Sequence, residues 1–105
     1  AIKLTGTATG SAVTLHTAVG GTTDFDEIWI WLQNSSDKPE KVTIEWGETT
    51  APDGNIEVLV PPENSEDLPK LVIPGFLLQN SLLVKAFASA ANVLMAHGFA
   101  NRITA

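Results

Sequence analysis

The residues able to do chemistry are few and scattered. His16 and His97 are the two histidines of the chain, and either imidazole could serve as a general base or a metal ligand near neutral pH. In sequence, neither has a carboxylate or a second histidine at metal-ligand spacing, so packed or hydrogen-bonded rings are the expected roles. Asp24, Asp26 and Glu27 gather three carboxylates, hard oxygen donors of the kind calcium takes. They lack the glycine-pinned loop and the following bidentate glutamate of a dedicated calcium loop, and a solvated approach to a strand is expected instead. Ser11, Ser81 and Ser89 stand in no nucleophile-elbow context. Asn34-Ser35-Ser36 matches the glycosylation triplet, a pattern short enough to recur by chance. With no cysteine in 105 residues, no disulfide or thiolate site is available. The expectation is a protein that is not an enzyme and uses no cofactor and no metal.

The elements that would position these residues read as short strands. All three tryptophans, Trp29, Trp31 and Trp46, fall between Asp26 and Gly47. Side chains alternate along a strand, so Ile28, Ile30 and Leu32 share one face while Trp29, Trp31 and Gln33 share the other. Both faces of that strand are apolar. Residues 35–40 form a charged turn around Pro39. Residues 41–46 then alternate cleanly, Val42, Ile44 and Trp46 against Lys41, Thr43 and Glu45, one side buried and one wet. Pro52-Asp53-Gly54 is a turn signal, residues 56–60 give a further strand, and the proline-rich, acidic residues 61–69 give an exposed loop. A short strand over 71–73 is closed by Pro74-Gly75, and Phe76-Leu77-Leu78 leads into a turn at Asn80-Ser81. Residues 81–87 and 92–99 follow as two strands, with period-two alternation outweighing the helix propensity of their Ala and Leu.

Two earlier strands, over 2–5 and 12–17, complete the pattern. The expected fold is all-β, a small antiparallel β-sandwich (jelly-roll-like) or barrel of about seven to nine short strands. Residues 1–105 form a single domain, with 1–11 as an extended N-terminal arm. A chain of this length buries about 65% of its unfolded surface, enough for one two-layer core. The double-sided strand, and a second apolar run with both parities over 76–87, supply more apolar surface than one core needs. Trp29, Trp31, Phe76, Leu77, Leu83 and Phe87 are therefore the candidate interface residues. Their cover would be another copy of the chain, or a loop such as residues 47–55.

Six basic residues, dispersed along the sequence, stand against twelve acidic ones, for a net charge of −6. Phosphate backbones are bound through clustered Lys and Arg, so neither nucleic acid nor an anionic membrane surface is an expected partner. Residues 1–10 carry no apolar run, so no secretory signal or membrane helix is expected there.

Residues 28–62 and 71–103 together resemble a class of small structural proteins from tailed bacteriophages and prophages. The similarity lies in the aromatic strand ending at Asn34, the Glu45-Trp46-Gly47 strand end before Thr49-Thr50-Ala51-Pro52, the Val72-Ile73-Pro74-Gly75 step, and the closing Gly98-Phe99-Ala100-Asn101-Arg102-Ile103. These are packing and turn motifs rather than chemical ones. The resemblance implies a virion component, a capsid decoration or cement protein on the exterior of the head, assembled in the host cytoplasm. Its implied partners are the major capsid protein and further copies of itself, a trimer being favoured. Residues 1–11 would order only on the capsid. The other reading open to the sequence is a carbohydrate- or receptor-binding β-sandwich module of a phage tail or fibre, with Trp29, Trp31 and Trp46 stacking on sugar rings.

Overall fold

The computed structural model describes residues 1–104. The strands are β1 (Ile2–Lys3), β2 (Val13–Thr17), β3 (Phe25–Asn34), β4 (Glu40–Trp46), β5 (Asn55–Val60), β6 (Lys70–Leu78), β7 (Leu83–Ala88) and β8 (Leu94–Ile103), with one short 3-10 turn at Thr9–Ser11. They form two four-stranded sheets, β1-β8-β3-β6 and β2-β7-β4-β5, in which every pairing is antiparallel. The pairing is nested: β4 with β5, β3 with β6, β2 with β7 and β1 with β8. The chain is thus one long hairpin, its tip at residues 47–54, rolled so that alternate strand pairs fall into opposite sheets. That is jelly-roll connectivity, and of the two expected architectures it is the sandwich that forms.

Alternation builds the core. In β3 the even-numbered residues from Asp26 to Asn34 are buried and the odd-numbered ones half-buried. Ile28, Ile30 and Leu32 meet Val42, Ile44, Val84 and Ala86 of the facing sheet in one apolar cluster. The last two strands form with no helix, as the period-two pattern requires. Three expectations need correction. Strand β6 runs through Pro74-Gly75 instead of stopping there, because two register shifts against β3 absorb an extra residue at each bulge. Strand β8 continues past Phe99 to Ile103, paired with β3 throughout. Thr43 and Glu45 are buried rather than wet; at Glu45 the cause is the N-terminal segment, which crosses over it and whose Thr9 hydroxyl donates to Glu45 Oε2.

The same crossing ties residues 1–11 into the domain. Leu4 is fully buried, its N–H donates to the Leu94 carbonyl at 2.9 Å, and the Gly6 carbonyl accepts from the Ala88 N–H at 3.2 Å. One staple thereby spans both sheets, and the segment is part of the folded domain rather than a free arm. No helix among the described residues is long and apolar enough to cross a membrane.

Candidate functional site

The register of β8, β3 and β6 fixes what lies on the outer face of the first sheet. Trp29 stands between Phe99 and Pro74, Trp31 between His97 and Leu71, and Glu27 between Asn101 and Leu77. Strand β3 buries its even face in the core, so its indoles must lie outside. They gather into one aromatic group: the Trp29, Trp31 and Phe99 ring centroids are 6.0–6.2 Å apart. Phe99 is 53% exposed and Leu77 48%, with Leu71 and Ile103 also exposed along the same face. Single exposed apolar side chains need no explanation, but a contiguous face of them is the usual mark of an interaction surface.

Local contacts hold the rings in place. The Trp29 Nε1–H donates to Glu27 Oε1 at 2.9 Å, and Asn101 Nδ2 donates to the same oxygen at 3.3 Å. The indole donor first, and the amide second, hold the Glu27 carboxyl below its ordinary range. Gly75 has φ +83°, and a Cβ there would stand 2.8 Å from the Trp29 ring. The glycine at the bulge is what lets the indole lie flat on the β6 backbone.

The six expected interface residues fall into three places. Trp29, Trp31 and Leu77 lie on this outer face. Phe76 points inward at the open end of the sandwich and meets Trp46 of the other sheet edge-on, with centroids 5.8 Å apart and planes at 90°. Leu83 and Phe87 lie on the outer side of the second sheet, where Leu83 is exposed and Phe87 half-buried. Phe99 and Leu71 were missed. For Phe99 the signal was present, since it shares the parity of Met95 and His97 on the last strand. Of the loop expected as cover, residues 47–55, Gly47 instead lies beside Leu82 and Leu78.

A polar cluster drawn from distant parts of the chain centres on Asp26, which is 1% exposed. Arg102 Nε donates to its Oδ1 at 2.9 Å, the Val19 N–H donates to Oδ2 at 3.0 Å, and His16 Nε2 lies 2.8 Å from Oδ2. His16 therefore does have a carboxylate partner, brought from ten positions away by the fold, and Asp26 is a buried hub rather than a solvated residue. No group of three or more His, Cys, Asp or Glu side chains among the described residues is placed to hold a metal ion. Asn34 is equally committed: its Nδ2 donates to the carbonyls of Lys38 and Pro61 at 3.1 and 3.0 Å, so the side chain of the glycosylation triplet is tied inside the fold.

The fold and face together describe a small jelly-roll domain with an aromatic outer sheet surface. No family model, curated protein or solved structure matches the chain.

Proposed function

We propose that the chain is a virion structural protein, a decoration or cement protein that seats on the outside of a tailed-phage head and braces it. The observation that carries this reading is the contiguous outer face of Trp29, Trp31, Phe99, Leu71 and Leu77. Fully burying one large apolar side chain is worth about 1.5–3 kcal/mol, so a face with several of them favours a protein partner that covers it. The net charge of −6 supports the exterior of a shell over its DNA-filled interior, since packaged nucleic acid repels an acidic chain. The mechanism is passive: a rigid sandwich contributes apolar area across neighbouring shell subunits, and no bond is made or broken.

The test is co-sedimentation with heads assembled from the major capsid protein of the same genome. The wild-type chain is expected to pellet with the heads at a fixed copy number and its tryptophan emission to shift to the blue. Trp31→Ser, which alters the face without touching the core, is expected to leave the protein folded and in the supernatant. Failure of the wild type to pellet sinks the proposal. A red, quenchable emission that responds to glycans and not to heads would replace it with the sugar-binding reading.

A further inference from the structure

The aromatic face carries a carboxylate without a cation. The odd-numbered residues of β3 and β8 point outward, and Glu27 is the one Asp, Glu, Lys or Arg among them. It stands beside Trp29 along β3 and opposite Asn101 of β8, while Phe99 stands opposite Trp29. Carboxylate, indole, phenyl ring and amide thus form one square on the sheet. The hydrogen bonds from Trp29 Nε1–H and Asn101 Nδ2 both end on Oε1, so Oε2 keeps its acceptor capacity. Those two donors are neutral, and no ion pair among the described residues includes Glu27. Arg102, at the same end of the sheet, directs its Nε and Nη2 to Asp26. Lys3 stands opposite Met95, whose partner on β3 is Gln33, about 20 Å along the strand from Glu27.

That placement constrains what can cover the face. A partner offering only apolar side chains would take a carboxylate out of water with one oxygen unpaired, and the desolvation of an unpaired charge outweighs the gain from a few apolar contacts. The cover must therefore bring a cation to Glu27. A guanidinium suits the position better than an ammonium. It is planar and weakly hydrated, and it can donate to a carboxylate while lying on an aromatic ring. Trp29 and Phe99, with centroids 6.2 Å apart, set ring faces next to the carboxylate.

We infer that the aromatic face docks an arginine side chain of the partner protein, with its guanidinium bonded to Glu27 Oε2 and lying against Trp29 and Phe99. The inference rests on the reading of this face as a protein-binding surface and adds the chemistry of the residue that meets it. Leu77, opposite Glu27, and Trp31, next to Trp29 on the same face, supply the apolar surround that keeps water from such a pair. The net charge of −6 draws a basic surface towards the chain from a distance.

The probe is Nα-acetyl-arginine amide, followed through the indole N–H resonances of the three tryptophans. Trp46, packed on Phe76 away from the face, is the internal control. The arginine compound is expected to move the Trp29 resonance saturably, to leave Trp46 unmoved, and to act more strongly than its lysine and norleucine counterparts. Glu27→Gln keeps an oxygen for the Trp29 donor, so it is expected to stay folded and to lose the arginine-dependent shift. In co-sedimentation with heads the same variant should bind about thirtyfold more weakly or worse, because it leaves the partner's guanidinium unpaired. No saturable shift in the wild type, an equal response to the lysine or norleucine compound, or a shift that survives in Glu27→Gln overturns the inference. So does a response to methyl glycosides alone, which would assign the same rings and carboxylate to a sugar. A wild type that pellets with heads but ignores arginine removes this inference and keeps the proposed function. An arginine response without head binding keeps the arginine site and removes the shell as its partner.

Discussion

Arg102 Nε donates to Asp26 Oδ1 at 2.9 Å, so the end of the last long strand is tied to the start of β3 by a carboxylate that is itself almost wholly buried. The Arg102 hydrogen bond, working against burial and helped by His16 and the Val19 N–H, lowers the Asp26 pKa from 3.8 to about 2. A carboxyl whose pKa is depressed by folding contributes stability that is complete above its unfolded value. That contribution is lost as pH falls from 3.8 through about 2. Thermal unfolding of the wild type is therefore expected to show an acid limb in that window. Asp26→Asn, which removes the charge but keeps a polar side chain of the same shape, should flatten the limb and cost about 1–3 kcal/mol at neutral pH. An unchanged acid limb in the variant would show that Asp26 does not carry it.

The N-terminal staple makes a second prediction, opposite in sense to that of a free arm. Leu4 is fully enclosed between Leu94 and the core. Leu4→Ala is expected to cost about 2–5 kcal/mol, the usual range for a large buried side chain cut to Ala, read as a lower denaturant midpoint with unchanged slope. Deleting residues 1–8 should cost at least as much, since it also removes β1 and the Gly6 contact with Ala88. A truncated chain as stable as the full one would return this segment to the role of an arm.

The strand pattern and one side of the site could be read from the sequence because alternation is local. Ile28, Ile30 and Leu32 against Trp29, Trp31 and Gln33 needs only period two, and the structure keeps that division. What could not be read depends on contacts between distant residues. The burial of Glu45 follows from a crossing segment thirty-six positions earlier, and a strand pattern cannot show which wet face another segment will cover. Asp26 gave no sign of being a hub because its partners come from β2, the turn that follows it and β8, seventy-six positions away in the case of Arg102. Phe76 parts from Leu77 for a related reason: the bulge at Gly75 resets the parity of β6, so Phe76, still 42% exposed, meets Trp46 at the open end of the sandwich.

That bulge supports the last prediction. Gly75 combines a positive φ of +83° with a Trp29 ring 2.8 Å from where a Cβ would stand, so Gly75→Ala meets two separate penalties, one in its backbone and one in the ring. Together they are expected to cost about 1–3 kcal/mol. Gly10→Ala is the contrasting case, with open space around the added methyl, and should be close to neutral. A double-mutant cycle separates the two penalties. In a Trp29→Leu background the steric part is relieved while the strain at φ remains, so Gly75→Ala should cost less there than in the wild type, by a coupling of at least about 0.5 kcal/mol. Trp29 fluorescence should shift in the single variant as the indole lifts from the β6 backbone. Additive costs in the cycle would mean that the ring does not depend on the glycine, and the outer aromatic face would then owe its shape to Trp31 and Phe99 instead.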